Sequence, residues 1–238
     1  VRDDAVTGVV LANGDETNAP VVISTVDPAR TMLGMIDPVW LDPEFLHAVR
    51  QIKMRGCTAF VMYALDGLPE VAGLPDPKAA LASMVTLTPT TEALERSYDA
   101  AKYGPVSEHP HVEFTIPSLR WPRLAPEGKH VLVARAQYAP YALADGATWD
   151  GPRSSSLTDC VTSVIARAIP RFASQILGCT TVTPVDLERK FGLTEGAVTQ
   201  GEITLDQILF MRPVAGWGRH ARKPGSRPAR CRSLRALE

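Results

Sequence analysis

His111–Tyr141 reads HVEFTIPSLRWPRLAPEGKHVLVARAQYAPY, and its reading decides the fold. His111–Ile116, where apolar and polar residues alternate, and Lys129–Tyr138 both read as strands. The Pro- and Gly-rich stretch Pro117–Gly128 between them predicts an ordered connection. Thr183–Pro213, TPVDLERKFGLTEGAVTQGEITLDQILFMRP, adds two capping-box spacings. Thr183 with Asp186 predicts a short helix ending at Gly192, and Thr204 with Gln207 predicts another running toward Met211.

Upstream, Val6–Leu11 and Pro20–Thr25 are apolar, β-branched runs joined through Asn13-Gly14-Asp15, which predicts a hairpin because Asn and Gly tolerate positive φ. Asp42-Pro43-Glu44 opens a helix with a carboxylate cap, Pro in the first turn and an acid behind it. Phe45, Val49 and Ile52 form its apolar face, and Lys53, Arg55 and Gly56 suit its C-terminal end. Cys57–Leu65 reads as a strand, and Asp66–Pro89 as loop with a short helical patch. Thr91–Tyr103 has helical spacing and stops at Gly104. Ser156–Leu177 is the longest helical pattern, with a bend expected at Pro170.

The bounds from composition are permissive. A chain of 238 residues has room for one large domain or two small ones. With 45% hydrophobic and 21% charged residues it can bury an ordinary core. A formal charge of −1 gives no global reason for a nucleic-acid or membrane partner. Cys57, Cys160, Cys179 and Cys231 have no C-x-x-C spacing, so no metal site is expected and a reducing compartment is the simpler reading. That points to the cytoplasm, or to the mitochondrial matrix in a eukaryote. No apolar run reaches the roughly 20 residues of a membrane span. The chain begins at Val1 with a strand pattern close behind, and an excised or incomplete reading frame is the expectation.

A set of segments in fixed order carries a resemblance. They are Val22-Ile23-Ser24-Thr25-Val26-Asp27-Pro28, Thr115-Ile116-Pro117-Ser118, Leu124-Ala125-Pro126-Glu127-Gly128-Lys129-His130 and Gln137-Tyr138-Ala139-Pro140-Tyr141. Thr183-Pro184-Val185-Asp186-Leu187-Glu188, Gly192-Leu193-Thr194, Leu205-Asp206-Gln207 and Arg212-Pro213 follow. Together they resemble the carotenoid-desaturase-like flavoproteins of the amine-oxidase-like FAD superfamily. Within these, the pyridine nucleotide-disulfide oxidoreductase domain-containing protein 2 group and its bacterial phytoene-dehydrogenase-like relatives are most similar.

The resemblance implies an α/β fold: an α+β substrate domain with a remnant of a Rossmann-like FAD domain. Residues 1–30 correspond to the tail of an FAD-domain segment, 31–210 to a substrate-domain segment, and 211–238 to an aberrant basic tail. The implied cofactor is FAD, and the implied reaction is hydride transfer from a small apolar substrate to flavin N5, the isoalloxazine supplying the redox power. The G-x-G-x-x-G fingerprint of the family's start, and a second Gly-rich segment expected after Arg212-Pro213, do not occur in this sequence. The fragment is therefore expected to be inactive alone. Arg219–Glu238, RHARKPGSRPARCRSLRALE, matches nothing in the family. It reads as a frameshifted end, a solvated terminus, or a basic tail for RNA or acidic lipid.

By the same resemblance Ser24, Thr25 and Arg212 are candidate cofactor contacts. Gln137, Tyr138, Tyr141, Gln200 and Glu202 are candidate substrate-lining residues. Each has a structural counter-reading: buried Tyr commonly bonds to backbone, and Arg212 serves equally as scaffold. Trp121 stands where relatives carry an acid, and Gln200 where a His is common. Asp186 and Glu188 lie within one helical turn, but capping already explains Asp186. His109, His111 and His130 lack ligand spacing, and Ser154–Ser156 lack an adjacent base. Two other classes stay open: a non-catalytic lipid- or protein-binding module, and a nucleic-acid binder using the tail. The sequence leaves the oligomeric state open.

Overall fold

The structure is a computed structural model describing residues 1, 5–71, 76–88, 90–212 and 214–215, without the side chains of residues 145 and 210. The basic tail at 219–238 lies outside the described residues. The chain divides into two compact units. One comprises Val1–Met54, Gly192–Thr194 and Val198–Glu238; the other comprises Arg55–Phe191 and Glu195–Ala197.

In the first unit, strands β1 (Gly8–Val10) and β2 (Glu16–Asn18) form the hairpin. Asn13 Oδ1 accepts from Asp15 N at 3.1 Å, and Gly14 turns the chain at φ 90°. The expected second strand at Pro20–Thr25 does not form. Pairing ends where Ala19 N donates to Thr7 O, and Pro20 has no N–H to carry the ladder further. Helix α1 (Pro43–Arg50) starts as its sequence predicts, with Asp42 Oδ1 accepting from Glu44 N at 2.8 Å and Phe45 N at 3.1 Å. Its face of Phe45, Leu46 and Val49 packs with Met32, Leu41 and Val214. Burying side chains of this kind stabilises by about 1.5–3 kcal/mol each.

This helix is shorter than the expected run to Gly56, and the reason is tertiary. Gln207 grips the backbone of Lys53, its Oε1 accepting from Lys53 N at 2.7 Å and its Nε2 donating to Lys53 O at 3.0 Å. The same grip removes Gln207 from the predicted capping box. Thr204 Oγ1 donates to Asp206 Oδ1 instead, and only a 3-10 turn forms, at Leu209–Met211.

The second unit is built on a five-stranded antiparallel sheet. Its strands are β3 (Thr58–Leu65), β4 (Val85–Thr86), β5 (His111–Thr115), β6 (His130–Gln137) and β7 (Ile176–Val182), in the order β4-β5-β6-β3-β7. With short helix α2 (Pro77–Ala82), three helices join them: α3 (Thr91–Lys102), α4 (Gly151–Ala168) and α5 (Pro184–Phe191). Ala59, Val61, Tyr63 and Leu65 of β3 alternate onto one face. Val112 and Phe114 of β5, and Leu132, Ala134 and Ala136 of β6, share it with Leu157, Val161 and Ile165 of α4. The mixed α/β class holds, with an antiparallel sheet under a helical layer.

Helix α4 departs from its sequence pattern at both ends. Asp150 caps it by accepting from Arg153 N at 2.9 Å, so it begins before Ser156. It stops before Pro170 rather than bending there, because the residue preceding proline, Ile169, is pushed out of the helical region to φ −129° and ψ 86°. Of the rest of the predicted helix, Ala173–Gln175 is a 3-10 turn, and only Ile176 and Leu177 belong to strand β7. Gly56 is not a helix cap: a Cβ there would lie 2.1 Å from Glu195 O, so glycine is required by backbone approach.

Candidate functional site

The second face of the sheet carries half-buried side chains, and here chemistry collects. Register sets Glu113 beside Arg135 and Arg135 beside Phe60, with Thr115, Val133 and Met62 forming the next row. Glu113 Oε2 meets Arg135 Nη1 at 3.3 Å, and Glu113 Oε1 lies 3.6 Å from His111 Nε2. His111 Nδ1 is hydrogen-bonded to the Thr88 hydroxyl. Arg135 Nε is buried with no hydrogen-bond partner among the described residues. An unmet buried donor costs about 1–3 kcal/mol, so this guanidinium edge favours any acceptor brought to it. The face is thus an apolar bed of Phe60, Met62 and Val133 crossed by one charged row.

Gln137 and Tyr138 leave β6 at the end of that face. Gln137 Nε2 donates to Thr58 Oγ1 at 3.4 Å, its carbonyl accepts from Ser97 Oγ at 3.0 Å, and the peptide bond to Tyr138 is cis. Tyr138 packs edge-on to Tyr98 at 5.1 Å, and its burial pushes the phenol up. Tyr141 sits apart from this pair: its hydroxyl donates to Glu188 Oε2 at 2.5 Å. That hydrogen bond raises the Tyr141 phenol above its ordinary range. Glu188 Oε1 accepts from Glu195 N at 3.0 Å, so both oxygens of this carboxylate brace the helix α5 region.

Asp186 is the cap that its spacing predicts, accepting from Thr183 N and Oγ1. Burial pushes its carboxyl up, but the Thr183 hydrogen bonds and the Arg189 and Lys190 charges outweigh that and hold it below the usual range. The antiparallel register places His111 opposite Gln137, so His111 and His130, each the first residue of its strand, lie at opposite ends of the β5–β6 pair. Among the described residues no group of three or more His, Cys, Asp or Glu could hold a metal. None of the described helices is long and apolar enough to cross a membrane.

The remaining candidates meet in the first unit. Arg212 Nε donates to Gln207 O at 2.8 Å, Nη1 to Thr199 O at 2.8 Å and Gln200 O at 3.3 Å, and Nη2 to Gly201 O at 3.0 Å and Glu202 O at 3.2 Å. All its donors are committed to main chain, and burial lowers its pKa. Gln200 Nε2 reaches Thr25 O at 3.5 Å, and the Ser24 hydroxyl is bonded to that of Thr31 at 2.8 Å. This is a braced loop. Ser24 and Arg212 have their donors turned inward, and they do not fit a dinucleotide as a cradle; only exposed Thr25 offers a side chain outward.

Sequence reading missed the Glu113–Arg135 pair. Each lies at a polar position in an alternating strand, but only the register joins them.

Such an antiparallel sheet, with one helix-covered and one half-buried face, defines a mixed α/β unit. No family model matches the chain. Over 215 residues it is 36% identical to the pyridine nucleotide-disulfide oxidoreductase domain-containing protein 2 of Rattus norvegicus, covering 88% of this chain and 37% of that protein. The Mus musculus protein of that name is 33% identical over 213 residues, covering 87% of this chain and 37% of its own length. The chain spans little more than a third of the length of these relatives, and over that stretch it is similar to a pyridine nucleotide-disulfide oxidoreductase-like group.

Proposed function

We propose that this chain is the substrate-side portion of an FAD-dependent oxidoreductase of the carotenoid-desaturase-like kind, which takes hydride from an apolar substrate. The supporting observation is the 36% identity sustained over 215 residues to an oxidoreductase-domain protein. In this reading residues 31–210 form the substrate segment and 1–30 the end of a cofactor-domain segment. The dinucleotide cradle belongs to the length of the whole protein that this chain does not span.

The chain's own share is binding and orientation. Phe60, Met62 and Val133 offer an apolar bed that excludes water, and the Glu113–Arg135 pair gives that bed one polar edge. Gln137 and Tyr138 bound it at the strand end, as substrate-lining residues. The absence of an activated nucleophile from this face suits a reaction in which side chains position rather than attack.

The test is a chimera in which this chain replaces the matching segment of the rat relative. It is expected to copurify with stoichiometric flavin. Phe60→Glu and Val133→Glu are expected to weaken binding of the apolar probe 1-anilinonaphthalene-8-sulfonate and to shift the flavin spectrum. A folded chimera without flavin, or one whose flavin ignores both substitutions, rejects the reading.

A further inference from the structure

Where the C-terminal turn of α4 meets the sheet margin, a cavity of about 540 Å³ is lined by four stretches of the second unit. Residues 86–88, running on from β4, and residues 109–111, leading into β5, form two walls. Ala93 of α3 and the Val164–Ala168 end of α4 complete it. The volume lies within the ~300–1,000 Å³ of small-molecule sites. All the lining comes from within one unit, so the shape of the cavity is set there.

That lining grades from apolar to charged. Pro110 is buried, and Leu87 and Val164 are half-buried and packed against the core. Thr86, His109 and Arg167 are exposed at the mouth. No aspartate or glutamate belongs to the lining. Among the described residues no carboxylate forms a salt bridge with Arg167. Glu113 approaches the wall residue His111 at 3.6 Å, but Arg135 neutralises it. The end of α4 contributes about half a negative elementary charge, which the full positive charge of Arg167 outweighs.

We propose that this cavity binds a small amphipathic carboxylate, a short aliphatic acid. Its carboxylate meets the Arg167 guanidinium and the His109 imidazole at the mouth, and its chain lies on Leu87, Pro110 and Val164. A guanidinium matches a carboxylate as a planar fork of donors, which selects the anion. The apolar depth selects the chain, because covering Leu87 and Val164 removes apolar surface from water. Helix α4 covers the opposite face of the sheet from Phe60, Met62 and Val133, so this site is separate from the substrate bed and independent of the redox reading.

The experiment titrates the full chain with octanoate, 1-octanol and octylamine by calorimetry. Octanoate is expected to bind one to one with a dissociation constant on the order of 0.1 mM, suited to about ten non-hydrogen atoms in a cavity open on one side. Octanol, which lacks the charge, should bind about three- to fivefold more weakly, the effect of one exposed ion pair. Octylamine should bind more weakly still. Arg167→Glu should reverse the order, favouring octylamine over octanoate, a reversal that misfolded chains could not give. Val164→Trp fills the cavity and should abolish binding while the circular dichroism spectrum stays that of the parent. The rat chimera should bind octanoate as the chain does. Absence of saturable octanoate binding overturns the proposal, as does equal affinity for octanoate and octylamine, or indifference to Val164→Trp. Loss of binding in the folded chimera also overturns it, since another part of the protein then fills the cavity.

Discussion

Asp27 and Thr194, 167 positions apart, are joined twice: Asp27 Oδ2 accepts from Thr194 N at 3.1 Å and from Thr194 Oγ1 at 2.7 Å. Asp27 Oδ1 accepts from Arg30 N at 2.9 Å, and the residue is 2% exposed. A carboxylate so buried is tolerated because donors surround it. Asp27→Asn keeps the shape but turns a donor toward donors, and should cost about 1–3 kcal/mol. Thr194→Val, which keeps the amide bond, should cost about 1 kcal/mol. Urea midpoints measure both, and an Asn variant as stable as the parent contradicts the account.

Tyr63 is 1% exposed, lies edge-on to Phe172 at 5.1 Å, and shares a 3.0 Å hydrogen bond with Thr162. Burial pushes its phenol up to about 12, the Thr162 bond pulling slightly the other way. The folded value exceeds the unfolded one of about 10, so the associated stability is whole below pH ~10 and is lost as pH rises through about 12. Ultraviolet tyrosinate titration should show Tyr63 ionising only with unfolding. Tyr63→Phe should flatten the alkaline fall in stability, and an unchanged profile counts against the assignment.

Gly56 and Gly151 make a matched contrast. A Cβ at Gly56 would lie 2.1 Å from Glu195 O and 2.6 Å from Gly196 C, both backbone atoms that cannot swing away. Gly56→Ala should therefore destabilise by about 1–3 kcal/mol. At Gly151, in the first turn of α4, nothing lies within 4 Å, so Gly151→Ala should hold or raise the melting temperature. Equal responses at the two positions would refute the close-approach argument.

Arg212 holds five main-chain carbonyls between Thr199 and Gln207. Lysine has no planar fork to reach them together, so Arg212→Lys should destabilise by about 1.5–3 kcal/mol. Because these donors are taken, the purified 238-residue chain is expected to be colourless. A stoichiometric flavin absorbance band in the purified chain would show that its residues do hold the cofactor.

Much of the fold is legible where a signal spans only a few residues. Asp42 before Pro43, and Thr183 with Asp186, place the starts of α1 and α5 because a cap and its amide lie two or three positions apart. The continuous apolar run in Cys57–Leu65 finds β3, and the strand patterns His111–Ile116 and Lys129–Tyr138 find β5 and β6, because strand signals also lie within a few neighbouring residues. The segment ILGCTTV has no such signal, and Leu177–Thr180 are exposed, so its strand character comes from β3 beside it. Of the candidate site, the sequence offers Gln137 and Tyr138 at a strand end, while Glu113 and Arg135 became a pair only through register.

By itself the sequence determined the caps, turns and alternating faces, since these depend on neighbours that the chain carries with it. Tertiary structure alone decided three things: that Gln207 grips Lys53 instead of capping a helix, that Glu113 meets Arg135, and that β7 lies at an edge. Each depends on groups far apart in the chain, and their partners are chosen by packing and register, which no local pattern encodes.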